Sequence, residues 1–341
     1  MTSAIKAEAN AGRMAIEREM ARQAGDALDS FEAAGAQATA VAEAIRATGR
    51  LLLLGMGASH AAAQIVEPLY RALGVDAIAL PLSEQLTQPL SIAGKAVIVT
   101  SQSGESAEVG RWFETEPVRH SVFGMTLDGA SRLAKTVPSL VASGGAEVAF
   151  AATRSLTVTL ALHLAVLARL GVDPEPALAA LKAPLSPDIG PALAAFADVG
   201  AVVCSGRAMQ GVAEALALGL MELSRIPAFA IEGGQFRHGP LEMLGPGIGV
   251  VLLRADEPGA GLIAAAARSS VEAGSPVVVF DSSGAGPVEG ALVLRFARAS
   301  GLAAAFAVLP AVQRFMLEFA GRRVAEVGIP RRSSKITRTE E

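Results

Sequence analysis

Three hydroxyl side chains fall within the six residues Ser101-Gln102-Ser103-Gly104-Glu105-Ser106, directly after the apolar run Val97-Ile98-Val99-Thr100. The residues that follow, to Phe113, suit a helix. Hydroxyls and backbone N–H groups then converge at a helix N-terminus, where unpaired donors and the helix dipole favour an anion. This is a phosphate cradle without a lysine, although the same serines would serve as a plain N-cap turn. A second glycine loop, Gly55-Met56-Gly57-Ala58-Ser59-His60, follows the run Arg50-Leu51-Leu52-Leu53-Leu54. Its order of strand, glycines and helix is that of a dinucleotide site, but the last glycine of that pattern is absent. The next strand ends Leu80-Pro81-Leu82-Ser83, with Glu84 just beyond the place of a ribose-binding acid. Ser59 instead offers another hydroxyl at a helix N-terminus, on the same carboxyl edge as Ser101. Two such loops on adjacent strand ends would enclose one phosphate.

The second half carries the groups for proton transfer. Met221-Glu222-Leu223-Ser224 closes a helix otherwise filled with Ala, Leu and Gly, so Glu222 is a carboxylate on a largely apolar element. Burial there would raise its pKa toward neutrality, which suits a general base, while a solvated helix-end glutamate is the plain alternative. Gly233-Gly234-Gln235-Phe236-Arg237-His238-Gly239-Pro240 is a glycine-flanked loop in which Pro240 can occupy the first position of the next helix. His238 is the one side chain in it whose ordinary pKa lies near neutral pH, and taken alone it reads first as a surface or structural histidine. The tail Ile329-Pro330-Arg331-Arg332-Ser333-Ser334-Lys335-Ile336-Thr337 is too basic and polar for a strand and reads as a frayed terminus.

These loops need strand ends to hold them. Residues 5–48 have the spacing of one or two amphipathic helices. Short apolar runs follow at 51–54, 77–80, 96–100, 121–125 and 139–141, each separated by a helical stretch. The order recurs at 201–204, 228–231, 249–253, 276–280 and 291–296, before a helix over 302–327. Strands alternating with helices imply parallel sheets covered on both faces, so the fold class is α/β with an internal duplication. The proline-rich stretch 171–191, with Pro174, Pro176, Pro184, Pro187 and Pro191, is the linker candidate, and the boundary is placed near Leu185. The expected division is a helical extension over 1–48, domains over 49–184 and 185–328, and a tail over 329–341. One continuous large sheet is the alternative.

Composition excludes several classes. A chain of 341 residues that is 51% hydrophobic but only 4% aromatic must build its core from Ala, Leu and Val. A net charge of −4 leaves no basic stripe for nucleic acid. The single cysteine, Cys204, excludes an internal disulfide and a multi-cysteine metal site, and fits a reducing compartment. Residues 1–29 lack the apolar run of a signal peptide, and the apolar stretch 155–170 is shorter than a membrane span and carries His163 and Arg169. A cytoplasmic protein without membrane contact is expected.

Together these segments resemble the tandem sugar-isomerase (SIS) family, in particular the isomerase half of glucosamine-6-phosphate synthase and the stand-alone amino-sugar-phosphate deaminases. The likeness runs from about Arg50 to the C-terminus. Its most specific element is Ser-Gln-Ser-Gly-Glu-Ser, where the family has Ser-Gln-Ser-Gly-Glu-Thr. Gly55-Met56-Gly57-Ala58-Ser59 is similar to Gly-Cys-Gly-Thr-Ser, residues 147–155 to Glu-Ile-Gly-Val-Ala-Ser-Thr-Lys, and Arg237-His238-Gly239-Pro240 to Lys-His-Gly-Pro. The resemblance implies two SIS-type subdomains, each a parallel sheet flanked by helices. It implies phosphate contacts by Ser59, Ser101, Gln102, Ser103 and Ser106, and sugar contacts by Gly57, Ala58, Ala151 and Ala152. It assigns proton transfer between C1 and C2 to Glu222, ring opening to His238 supplied by the neighbouring subunit of a homodimer with shared active sites, and approach to the sugar carbonyl to Lys335. No metal and no other cofactor is implied. Ala152 stands where the synthase has a serine, and Gly219 where it has a lysine one helical turn before its glutamate. The glutaminase domain of the synthase has no counterpart, with Thr2 after the initiator Met where a nucleophilic cysteine would stand.

The expected activity is therefore isomerisation and deamination of an amino-sugar 6-phosphate such as glucosamine 6-phosphate, giving a ketose phosphate and ammonia. A fructosamine-6-phosphate deglycase would share the fold and the phosphate loop. A non-catalytic sugar-phosphate sensor would keep the loop alone, and an NAD-dependent dehydrogenase rests only on the glycine loop at 55–60.

Overall fold

The structure, a computed structural model, describes residues 3–115 and 121–339, with side chains from residue 11 onward. The chain forms two compact units. One comprises residues 17–181 with those from 330 onward, and the other comprises residues up to 16 with 182–329.

In the first unit, helix α1 (Ser3–Ala33), which belongs to this unit from residue 17 onward, and α2 (Gly35–Thr48) precede β1 (Arg50–Gly55), α3 (Ala58–Ala72), β2 (Asp76–Pro81) and α4 (Leu82–Thr87). They are followed by β3 (Ala96–Thr100), α5 (Ala107–Thr115), β4 (Val122–Thr126), α6 (Arg132–Thr136), β5 (Ser139–Val141), α7 (Arg154–Arg169) and α8 (Glu175–Lys182). The five strands are all parallel in the order β2-β1-β3-β4-β5. Strands β3 and β4 are buried along their whole length, because helices cover both faces, and so they read as unbroken apolar runs rather than alternating ones. Leu52, Leu54, Val97, Val99 and Val122 form one core with Trp112 of α5 and Leu133 of α6. Of the segment expected as an extension, residues 17–48 are part of this unit's helical layer. α2 packs on α7 and on β1, β3 and β5, and its Ala38, Val41, Ala42 and Ile45 are fully buried. α1 is tied in by Arg154, which has no exposed surface and donates to Glu19 at 2.5 Å and Asp26 at 3.2 Å.

The second unit continues with α9 (Gly190–Ala195), β6 (Ala201–Ser205), α10 (Gln210–Ser224), β7 (Ala228–Ala230), β8 (Ile248–Ala255), α11 (Ala260–Glu272), β9 (Val277–Ser282), β10 (Leu292–Arg295) and α12 (Gly301–Gly321). Its five parallel strands take the order β10-β9-β8-β6-β7. This is the same winding as in the first unit, and the duplication seen in the sequence is one of topology. The stretch expected as a linker holds two helices, α8 and α9, with Leu178, Leu181, Ala192 and Leu193 buried. α12 is the one described helix long and apolar enough to cross a membrane, and 83% of its apolar window is buried within the protein. It packs against α10 and β9, as a core helix does.

In an open parallel sheet, ligands bind outside the carboxyl ends of the strands where the winding reverses direction. In the first sheet the chain leaves β1 for β2 on one side and returns to β3 on the other, so the reversal lies between β1 and β3. The loops that leave these two strands are the glycine loop at 55–60 and the serine loop at 101–106.

Candidate active site

The serine loop is held from several sides. Ser101 N–H donates to Met125 O at 3.0 Å, and Gln102 O accepts from Leu127 N–H at 3.0 Å and from the Thr126 hydroxyl at 3.2 Å. The chain then reverses at Gly104, whose φ of +64° is the left-handed conformation that glycine adopts at no steric cost. Gly104 N–H donates to Ser101 O at 3.1 Å and to Ser101 Oγ at 3.2 Å, while Ser103 Oγ accepts from Glu105 N–H at 3.2 Å. The turn before α6 forms a buttress: Leu133 N–H donates to Gly104 O at 3.1 Å and Arg132 N–H to the Glu105 carboxylate at 2.6 Å. Ser106 opens the first turn of α5, its carbonyl accepting from Gly110 N–H at 3.2 Å. Ser101 is buried, while Gln102, Ser103 and Ser106 are half-buried, so the loop is a rigid turn with reachable hydroxyls.

Across the reversal point, Gly55 of β1 is aligned with Thr100 of β3. The two loops therefore leave neighbouring strand ends at the same level. Gly57, with φ +52°, sits at the N-cap of α3, and Ala58 and Ser59 lie in that helix's first turn. Gly55 itself cannot carry a side chain, because a Cβ there would lie 2.8 Å from the Ser59 backbone. His60 is held below its ordinary pKa by burial, against the opposing pull of the Glu84 carboxylate.

A third segment, 142–153, lies between β5 and α7. Ala151 is buried and Ala152 half-buried in it. Gln102 donates from its side-chain amide to Glu147 O at 3.5 Å. The Glu147 carboxylate is buried, and it holds Lys335 of the tail in an ion pair of 2.8 Å. Burial alone would raise the Glu147 pKa, but the Lys335 charge and the hydrogen bonds from Lys335 and Ser155 outweigh it and hold the group below the usual carboxylate range. The tail also crosses the start of α5, where Thr337 O accepts from Ala107 N–H at 3.0 Å. Residues 330–339 form no helix or strand, and the frayed terminus expected from their composition is docked on this unit through Lys335 and Thr337. The first unit thus gathers Ser59, Ser101, Gln102, Ser103 and Ser106 at one sheet edge, with Lys335 tied nearby through Glu147.

Glu222 and His238 belong to the second unit. Glu222 is half-buried in the last turn of α10, which ends at Ser224. The helix is stopped by Arg225 in a left-handed conformation, φ +59°, with its guanidinium donating to Ile329 O at 3.0 Å. One turn earlier, a Cβ at Gly219 would fall 2.1 Å from Met316 Sδ of α12, so any side chain there must displace a buried methionine. His238 is exposed directly after the 3₁₀ turn Gln235–Arg237, donating its N–H to Gln235 O at 3.0 Å. Glu232 shapes this loop by accepting from Gly234 N–H at 2.7 Å and Gln235 N–H at 3.0 Å. Pro240 does occupy a first helical position, but of the 3₁₀ turn Pro240–Met243 and not of an α-helix. Among the described residues no group of three or more His, Cys, Asp or Glu side chains could hold a metal ion.

No protein-family model and no curated protein sequence matches the chain. Solved structures do. The C-terminal domain of glucosamine-fructose-6-phosphate aminotransferase from Francisella tularensis is 17% identical, with 91% of this chain and 96% of that one covered at a TM-score of 0.76. Tagatose-6-phosphate ketose/aldose isomerase from Escherichia coli is 21% identical, with 92% and 96% covered at a TM-score of 0.76. Glucosamine-6-phosphate deaminase from Thermotoga maritima is 18% identical, with 91% and 99% covered at a TM-score of 0.67. At these identities the likeness is one of fold, two parallel sheets wound in the same way over nearly the whole length of each chain.

Proposed function

We propose that the chain is a phosphosugar isomerase and deaminase, which converts an amino-sugar 6-phosphate of the glucosamine 6-phosphate type, with water, into a ketose phosphate and ammonia. The observation that carries this reading is the pair of loops at the reversal point of the first sheet. Ser59 at the start of α3 and Ser101, Ser103 and Ser106 before α5 offer hydroxyls and helix N-termini to one anion, with no lysine in either loop. The solved structures of the same fold bear the names of enzymes that act on sugar phosphates. The phosphate is the remote handle: its binding energy positions the reacting carbons at the other end of the sugar.

Glu222 is the group assigned to move the proton between C1 and C2, through an enediol-like or enolamine intermediate. His238 assists ring opening, contributed by the second subunit of a homodimer, and Lys335 approaches the sugar carbonyl. Ala152, with Gly57 and Ala58, borders the sugar with small groups, whereas Ala151 is fully buried and does not reach it.

The test is ammonia release and binding across glucosamine, galactosamine and fructosamine 6-phosphates and their unphosphorylated sugars. The phosphorylated sugars bind and the free sugars do not. Ser103→Ala weakens sugar-phosphate binding by about 1 to 3 kcal/mol, as loss of a charge-assisted hydrogen bond does. Equal affinity of the wild type for glucosamine and its 6-phosphate overturns the phosphate site.

A further inference from the structure

We propose that Glu147 is the positioning residue for Lys335, and that their ion pair latches the C-terminal tail onto the first unit. The carboxylate is built into the turn that starts α7. Glu147 Oε1 accepts from Thr153 N–H at 3.1 Å, Thr153 Oγ1 at 3.3 Å and Ser155 N–H at 3.1 Å, and Oε2 accepts from Ser155 Oγ at 2.6 Å. These donors come from residues within eight positions of Glu147, and the adjacent helix N-terminus also favours an anion. The carboxylate is therefore oriented by its own loop. Lys335 completes it at 2.8 Å on Oε2, and the same ammonium reaches Phe150 O at 3.4 Å.

Glu147 is only 3% exposed and already accepts from Thr153, Ser155 and Lys335, which leaves it poorly placed to touch a substrate. Its action on a reaction passes through the groups it holds, of which Lys335 is the one with a charge to present. A buried carboxylate stripped of its cation is strongly unfavourable, so the pair holds the tail in one place rather than in many. Thr337 O, two residues beyond Lys335, accepts from Ala107 N–H at the start of α5. The latch thus fixes the tail across the helix that follows the serine loop. The catalytic consequence rests on the proposed role of Lys335 at the sugar carbonyl, while the latch itself does not.

The experiment follows the tail and the chemistry separately. Trypsin cleavage after Arg332 is timed by mass spectrometry in the native wild type and in Glu147→Gln, Glu147→Asp, Lys335→Met and the Gln/Met double variant. Cleavage is expected to speed roughly tenfold in Glu147→Gln and equally in Lys335→Met, with no further gain in the double variant, since proteolysis follows the open population. Glu147→Asp, which keeps the charge, returns part of the protection. On a sugar phosphate that the wild type turns over, Glu147→Gln lowers kcat more than it changes KM. Lys335→Met also leaves the buried carboxylate without its cation and lowers the melting temperature, so cleavage is compared equally far below each variant's melting temperature, where Lys335→Met reads the latch even if Glu147→Gln folds poorly. Unchanged cleavage in Lys335→Met, or additive effects in the double variant, overturns the latch. If the wild type turns over no sugar phosphate, the proposed function fails and the cleavage data still decide the latch.

Discussion

Gly104 and Ser131 pack with no room for a methyl group between them: a Cβ at 104 would lie 2.2 Å from Ser131 Oγ and 2.5 Å from Ser131 Cβ. Ser131 is fixed in turn, because its hydroxyl caps α6 by accepting from Ala134 N–H at 3.3 Å. The serine loop is thus clamped between the end of β3 and the start of α6, which explains why a glycine stands in the middle of it.

Gly104→Ala meets two penalties. The left-handed φ of +64° costs a non-glycine residue about 1 kcal/mol or more, and the clash with Ser131 forces the loop to shift. Displacement of a phosphate-binding loop by about 1 Å can cost on the order of 100-fold in rate. Calorimetric titration with the preferred sugar phosphate should show an affinity loss of at least about tenfold. Adding Ser131→Gly should recover the part due to the clash and not the part due to φ. Wild-type affinity in the single variant would remove the rigid-loop account.

Tyr70 and His163 form a sealed pair: the phenol oxygen lies 3.1 Å from Nδ1, and both residues are fully buried. Burial pushes the imidazole from 6.5 down to about 3 and the phenol up. The folded state therefore refuses a proton that the unfolded state takes up below pH 6.5. Stability from this group is complete above pH 6.5 and is lost as pH falls toward 3, by about 1.4 kcal/mol per unit. His60 acts in the same direction, while Glu214 and Glu257, raised by burial, act in the opposite one. The contribution of His163 is the difference in slope between wild type and His163→Asn. Urea unfolding from pH 7 to pH 5 should give a flatter profile in the variant, and parallel profiles would show that His163 is charged or unlocked in the folded protein.

Arg154 carries a cost if removed that its neighbours cannot absorb. It is fully buried, donates to Glu19 and Asp26, and reaches Gly145 O at 2.8 Å. Arg154→Met leaves the Glu19 carboxylate buried without its cation and should destabilise by about 3 to 5 kcal/mol. The midpoint of urea unfolding should fall with its slope unchanged. Adding Glu19→Gln should recover part of the loss. A single variant within about 1 kcal/mol of wild type would mean that water or a rearranged side chain already serves Glu19.

The strands were legible because parallel strands buried on both faces must be apolar without interruption, and runs such as 96–100 and 249–253 have no other use in an α/β chain. The place of the serine loop was legible too, because hydroxyls directly after an apolar run mark the turn from a strand into a helix. Pairings distant in sequence left no local sign. Arg154 finds Glu19 across 135 positions and Lys335 finds Glu147 across 188, and neither spacing carries a period. The docking of the tail was not legible in its composition, because a run of arginines and serines looks solvated until its one buried partner is known, and only the resemblance singled out Lys335. The helices at 3–48 were set apart for a similar reason, since amphipathic spacing reports a buried face and not the surface that buries it.

Glu222→Gln tests the residue on which the proposed chemistry turns. The glutamate stands half-buried in the last turn of α10, on a helix closed by the left-handed Arg225 and backed by the tight approach of Gly219 to Met316. An amide keeps the shape and hydrogen bonding of the side chain but cannot accept a proton at ordinary pH, so binding of the sugar phosphate should persist while proton transfer stops. Exchange of the C2 hydrogen with solvent deuterium reads that step directly, and ammonia release reads the overall reaction. Loss of a general base predicts that both fall together by a factor of about 100 or more, with affinity for the sugar phosphate held near that of the wild type. A variant that loses ammonia release but keeps exchange would move Glu222 to a later step. A folded variant with both rates intact would assign the proton to another group and leave Glu222 as a helix-end carboxylate.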